Sequence, residues 1–169
     1  HLHRRSSLSE IYSIPSQVMH AANHISDWIK NNVENPILVG PDSESEQWVS
    51  DVAKTAGAPF MVLEKIRHGD KDVEVSVPNV ENYKNHTPVL VDDIISSART
   101  MIETVKHLNK AGMNAPICIG IHGVFGGNAY QELQKSGVAD IVTCNTIPHP
   151  SNKIDVSDLL VEGYNNVIN

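Results

Sequence analysis

"PVLVDDIISSARTMIETVKHL", residues 88–108, is the stretch that decides how this chain of 169 residues folds. Four apolar residues run into two adjacent acids, Asp92 and Asp93. Small and hydroxyl residues follow, and apolar residues then recur at helical spacing. The first part reads as a buried strand and the last as an amphipathic helix. Side chains alternate along a strand, so the two acids cannot both face a core. The loop over Ser96, Ser97 and Ala98, with a helix N-terminus near Thr100, offers backbone N–H groups and hydroxyls to an anion, reinforced by the helix dipole. The neighbouring acids can accept hydrogen bonds from sugar hydroxyls or bind a divalent metal. A phosphate beside a diol, that is a sugar phosphate, fits such a loop. The plainer reading is that Asp93 caps a helix and Asp92 is solvated.

Outward from this stretch the same strand-then-helix alternation repeats. "SQVMHAANHISDWIKNNVE" spaces Val18, Ala21, Ala22, Ile25, Trp28 and Ile29 as an amphipathic helix, and "NPILVGPD" gives a short strand closed by Gly40-Pro41. "SESEQWVSDVAKTAGA" has serines and acids at its start and Gly57 at its end, the polarity of a helix. "APFMVLEK" and "DVEVSV" read as strands, the second half-exposed, and "NVENYKNHT" as a turn. Beyond the helix closed by Gly112 come strand "APICIGIHGVF", helix "GNAYQELQKSG", strand "DIVTCNT" and a last helix around "VSDLLVEGYNNV". Apolar strands each followed by a helix predict an α/β fold: a three-layer sandwich on a mostly parallel sheet, with one antiparallel hairpin inserted.

Length and composition narrow the function. The chain suits one domain with a full core, spanning 1–169. Its hydrophobic fraction of 40% and charged fraction of 20% are those of a water-soluble protein, and no apolar run approaches a membrane span. A net charge of -7 without a basic tract argues against nucleic acid or an anionic membrane as partner. Cys118 and Cys144 sit in apolar strands, where a buried free thiol is the usual state. With no signal or lipidation pattern, a cytoplasmic location is the default. The opening "HLHRRSS" lacks a methionine, which suggests a fragment or a processed piece.

"VLVDDIISSART" resembles the phosphoribosyl-diphosphate fingerprint of the type I phosphoribosyltransferase fold. The resemblance extends along the chain to the ribose-phosphate diphosphokinase (PRPP synthetase) family, specifically its C-terminal half. It implies that Asp92 and Asp93 position ribose hydroxyls and that Ser96, Ser97, Ala98, Arg99 and Thr100 bind the 5-phosphate of ribose 5-phosphate. "ILVGPDSESEQWV" resembles the family segment in which a strand ends in Pro-Asp; by that resemblance Asp42 helps to hold Mg2+, and the Ser43–Glu46 loop takes the place of the diphosphate loop. "LEKIRHGDKDVEV" resembles the family's catalytic loop, which makes Lys65 and Arg67 the cations that neutralise charge during diphosphoryl transfer from ATP. "HLHRRSSLSEIYSIPS" resembles the segment bearing a metal-binding histidine, for which His1 and His3 both compete. "GIHGVFGGNAY" and "VTCNTIPHP" follow the family's next two strand ends; His122 reads there as a structural histidine, and Thr143, Asn145 and Thr146 as turn residues.

Three departures stand out. Glu44 and Glu46 occupy positions where the family more often has glycine, and carboxylates repel a bare diphosphate unless magnesium intervenes. Ile66 replaces a further basic residue. Arg99 stands where the family has glycine, which demands a backbone conformation that a side chain tolerates. The expected activity is ribose-phosphate diphosphokinase, with a homo-oligomer implied and a second domain expected upstream. A stand-alone phosphoribosyltransferase and a non-catalytic assembly or regulatory subunit are the alternatives.

Overall fold

The computed structural model describes residues 7–41, 45–68, 72–76, 78 and 80–168, with the backbone alone described at 64–68 and 72–76. Its centre is the strand that opened the sequence reading, β5 (Thr87–Ile95). Five further strands join it: β1 (Pro36–Gly40), β2 (Phe60–Val62), β6 (Ile117–Gly123), β7 (Asp140–Cys144) and β8 (Asn152–Ile154). They form one sheet in the order β2-β1-β5-β6-β7-β8, and every pairing is parallel. All strands therefore end at the same edge of the sheet.

Alternation along the strands sorts the core into two layers. Leu38, Val89, Val91, Ile119 and Val142 point to one face, where Ile25 and Ile29 of α1 (Ala22–Asn32) and Val49 and Val52 of α2 (Glu46–Ala56) cover them. Ile37, Val39, Leu90, Cys118 and Ile141 point to the other, beneath Met101, Val105 and Leu108 of α4 (Arg99–Lys110) and Leu133 of α5 (Ala129–Lys135). These strand residues are almost completely buried, which is why the strands read as unbroken apolar runs. Both cysteines are free and buried. Burial raises their thiol pKa values, to about 11 for Cys144, so neither is a thiolate at neutral pH.

The pleat of β5 is irregular at its end. Strict alternation from Leu90 would send Ile95 toward α1 and α2, yet Ile95 is packed with the α4 and α5 layer. The break falls at the two acids: the Asp93 amide donates to the Asp92 Oδ1 at 2.9 Å, and the ladder with β6 passes from Asp92↔Gly120 to Ile94↔His122. Gly120 makes room for the displaced isoleucine, since a Cβ there would stand 2.6 Å from Ile95 Cδ1.

Other elements differ from the sequence pattern in instructive ways. The first helix begins only at Ala22, because the segment before it lies against the last helix, α6 (Ser157–Ile168). Met19 packs over Gly163, where a Cβ would come within 2.9 Å of Met19 Cγ. The expected turn over 79–87 contains a short helix, α3 (Val80–Tyr83). Strand β8 was not expected, and side chains fix it as much as the ladder does. Asn152 Nδ2 donates to Thr143 Oγ1 (2.8 Å) and to the Cys144 carbonyl (2.9 Å). The expected hairpin forms, as β3 (Glu64–His68) against antiparallel β4 (Asp72–Ser76), and these two strands make a sheet of their own.

Candidate functional site

The turn after β5 is built by its neighbours. Backbone amides of the β6–α5 loop donate to the last carbonyls of β5: Val124 and Phe125 to Ile95 at 3.1 and 2.9 Å, and Gly126 to Ser96 at 3.1 Å. Phe125 adopts a left-handed φ of 44° in that loop, and its ring is held by Tyr130 (centroids 5.1 Å apart) and His149 (4.5 Å). The turn then closes on Ala98, whose φ of 57° lets the chain enter α4 directly. The strained position is thus Ala98. Arg99, where the family resemblance implied glycine, is the first residue of the helix and pays no such cost.

This geometry leaves a recess lined by Asp92 and residues 94–101. The N-cap of α4 is an alanine with no side-chain hydrogen bond. The first-turn amides of a helix have no intrahelical acceptor, and here no side chain caps them, so they and the positive end of the dipole face the recess. Ser96, Ser97, Arg99 and Thr100 are exposed at its rim, and Ala98 is buried behind it.

Asp92 lines the recess, and Asp93 follows it on the strand without lining it. Burial lifts the Asp92 pKa from 3.8 to about 6; the hydrogen bond and negative charge of the Asp93 carboxyl add to the rise, and the backbone amides of Asp93 and Ile94 oppose it. A carboxyl that titrates near neutrality at a strand end is a common mark of a functional group.

On the next strand, His122 Nδ1 lies 2.9 Å from Thr146 Oγ1, and Thr146 Oγ1 donates to the Ile121 carbonyl at 2.9 Å. Burial lowers the His122 pKa, against the opposing pull of the Asp93 charge. Beyond β7, the sequence reading missed a buried hydroxyl chain. Thr143 Oγ1 is 2.8 Å from Ser151 Oγ, which is 2.7 Å from His149 Nδ1. The Ser151 amide also donates to His149 Nδ1, so that nitrogen is an acceptor. The only sequence signal was the clustering of polar residues in "HPSN", indistinguishable from a solvated loop. Asn145, by contrast, secures the start of α6 as a turn residue should: its Nδ2 donates to Asp155 Oδ1 at 2.7 Å and its Oδ1 accepts from the Val156 amide at 2.9 Å.

The residues expected to complete the site divide into two groups. Lys65 and Arg67 lie on β3, with backbone partners Val75 and Val73, and the hairpin leaves the sheet at the end of β2, the same edge as the recess. Their side chains, and all of His1, His3, Asp42, Ser43 and Glu44, lie outside the described residues. Glu46 opens α2 and complements its dipole, and the N-cap is Ser45. Among the described residues, no group of three or more His, Cys, Asp or Glu is arranged to hold a metal ion.

A strand ending in two acids, a left-handed turn and a helix start without a side-chain cap thus meet at the centre of a parallel α/β sheet. The chain belongs to the phosphoribosyl transferase domain family, whose pattern matches residues 7–159. Over 168 residues it is 28% identical to the ribose-phosphate pyrophosphokinase of Methanopyrus kandleri, covering 98% of this chain and 57% of that protein. It is 33% identical over 133 residues to the ribose-phosphate pyrophosphokinase of Sulfurisphaera tokodaii, covering 78% and 45%. The crystal structure of phosphoribosylpyrophosphate synthetase from Mycobacterium smegmatis superposes with a TM-score of 0.80 at 24% identity, over 97% of this chain and 56% of that one. The chain thus spans about half the length of the relatives it matches.

Proposed function

We propose that this chain is the ribose 5-phosphate-binding, C-terminal domain of a ribose-phosphate diphosphokinase, which transfers diphosphate from ATP to the 1-hydroxyl of ribose 5-phosphate. The observation that carries this reading is the recess lined by Asp92 and residues 94–101, where the N-terminus of α4, with no side-chain cap, meets the carboxyl of Asp92 at the end of the central strand. Similarity to ribose-phosphate pyrophosphokinases along nearly the whole chain supports it.

In this reading the 5-phosphate takes its hydrogen bonds from the amides and hydroxyls of residues 96–100, with Arg99 adding charge at the rim. Ionised Asp92 and Asp93 accept hydrogen bonds from the ribose hydroxyls and so orient the sugar, leaving the 1-hydroxyl to attack the β-phosphorus of ATP as AMP departs. Negative charge gathers on the moving group, and Lys65 and Arg67 on the hairpin neutralise it. Cations brought up in this way contribute several kcal/mol in a water-excluded site. Magnesium, when bound, would shield the diphosphate oxygens, with Asp42 and either His1 or His3 as its proposed ligands. The enzyme is read as cytoplasmic; no helix among the described residues is long and apolar enough to cross a membrane. A homo-oligomer is proposed as well, and the exposed apolar side chains of α6, Leu160, Val161 and Tyr164 among them, offer a surface for it.

Isothermal calorimetry with ribose 5-phosphate and magnesium chloride tests the reading. Binding is expected for the native chain, with Asp92→Asn weakening it at least tenfold. No heat from the native chain would favour a role in assembly. The 169 residues alone are expected to release no AMP from ATP, and AMP formation would show that this chain carries the whole catalytic apparatus.

A further inference from the structure

Phe125 takes a left-handed φ of 44° although two glycines, Gly126 and Gly127, follow it directly. A bulky side chain keeps that conformation only where its surroundings hold it there. Three neighbours do so. Gly123 leaves room for the ring, since a Cβ on it would stand 2.8 Å from Phe125 Cε2. Tyr130 meets the ring edge-on, and His149 lies against it with centroids 4.5 Å apart.

His149 is itself anchored. The Ser151 amide donates to its Nδ1, so that nitrogen carries no hydrogen, and the Ser151 hydroxyl must donate to it as well. Ser151 has then spent its one hydrogen, so Thr143 Oγ1 donates to Ser151 Oγ while accepting from Asn152 Nδ2. The His149 amide donates to Asn152 Oδ1 at 2.9 Å. A one-way chain of hydrogen bonds rooted in β7 and β8 thus fixes the imidazole against Phe125.

What Phe125 holds in turn is the loop that grips the end of β5. The amides of Val124, Phe125 and Gly126 take up the carbonyls of Ile95 and Ser96, two residues of the recess wall. The peptide bonds are trans, so within each the N–H points opposite to the C=O. With both carbonyls turned toward the β6–α5 loop, the Ser96 and Ser97 amides are turned away from it. Neither has a backbone acceptor among the described residues.

We infer that Phe125 is a positioning residue for the anion-binding turn: clamped by His149 and Tyr130, it keeps the Ile95 and Ser96 carbonyls on its own loop and leaves the Ser96 and Ser97 amides for the 5-phosphate. The inference rests on the ribose 5-phosphate reading above and adds to it a residue that acts without touching the sugar.

Calorimetry and 1H–15N amide spectra of the full chain, titrated with ribose 5-phosphate and magnesium chloride, test it. Binding to the native chain should move the Ser96 and Ser97 amide protons downfield, as donation to a phosphate does. Phe125→Leu should diminish that movement and weaken binding about tenfold, the worth of one hydrogen bond of ordinary strength. His149→Ala withdraws the clamp and leaves the loop's own sequence intact; it should weaken binding several-fold, and it keeps the test open where Phe125→Leu does not fold. His149→Phe restores a ring but leaves Ser151 without its acceptor, so it should recover most of the affinity while unfolding at lower urea than the native chain. A loss of affinity that follows urea stability instead, with His149→Phe binding no better than His149→Ala, would overturn the inference. If Phe125→Leu and His149→Ala both bind as the native chain does, with the same amide response, the inference falls and the sugar-phosphate reading stands. If the native chain binds nothing, both fall together.

Discussion

Asp92→Asn should stabilise the protein at neutral pH and leave it unchanged in acid. The folded-state pKa of Asp92 is raised from 3.8 to about 6, chiefly by burial. Between those values the folded chain holds a proton that the unfolded chain has released. Stability contributed by this group is therefore fully present below pH 4 and is lost as pH rises through 6. A rise of about two pH units, at about 1.4 kcal/mol each, sets a ceiling near 3 kcal/mol. Asp92 keeps some contact with water, which reduces the figure to about 1–2 kcal/mol. Asparagine resembles the protonated acid: its oxygen can accept from the Asp93 amide as Asp92 Oδ1 does at 2.9 Å, and its NH2 can donate to the Asp93 carboxylate. Urea denaturation of both proteins at half-unit steps from pH 4 to 8 provides the assay. Equal stability at pH 4 and an advantage of about 1–2 kcal/mol for the variant at pH 8 are expected. A difference that does not change with pH, or a less stable variant at pH 8, would refute the burial argument. The same titration should show in function: the ratio of native to Asp92→Asn affinity for ribose 5-phosphate should climb as pH passes 6, the ligand's own phosphate titration being common to both proteins.

Three further outcomes follow from packing. Gly120→Ala would place a methyl 2.6 Å from Ile95 Cδ1 and Cγ1 and should cost about 1–3 kcal/mol by thermal denaturation, in part restored by Ile95→Ala. Ser151→Ala removes the hydroxyl between Thr143 and His149 at a fully buried position and should lower stability by about 1–3 kcal/mol, measured by urea unfolding. Ala98→Val sets a β-branched residue at a φ of 57°; it should destabilise by at least about 1 kcal/mol and weaken ribose 5-phosphate binding, both measurable on the same preparation.

The layers of this fold were legible because the strands are buried on both faces. Unbroken apolar runs such as "PILVG" and "ICIGI" can only be central strands, and helical spacing between them puts the helices outside. Where packing rather than pattern decided, the sequence misled. The spacing of Val18 and Ala21 continued the helical pattern, yet the helix starts at Ala22, and Met19 of the segment before it packs over Gly163 of α6. Strand β8 has three residues and relies on the Asn152 amide, so no periodicity could announce it. At the site, Asp92, Asp93 and the turn to Thr100 were readable because they are contiguous. The His122–Thr146 bond spans two strand ends, and the displaced Ile95 depends on a glycine one strand away; neither leaves a mark in local sequence. Arg99 was the reverse case, a worrying residue at a position that needs no glycine, because the left-handed turn falls one residue earlier.

The separation of the β3–β4 hairpin from the main sheet divides the molecule into two kinds of backbone. The amides of β5 are flanked on both sides and roofed by two helix layers, so deuterium should reach them only when the whole chain opens. Among the described residues those of β3 and β4 pair in a two-stranded sheet of their own, and they should exchange through a local event of much smaller free energy. The proposed sugar site is thereby tied to the slowest-exchanging part of the chain, while the two cations proposed for the chemistry lie on an element outside that sheet.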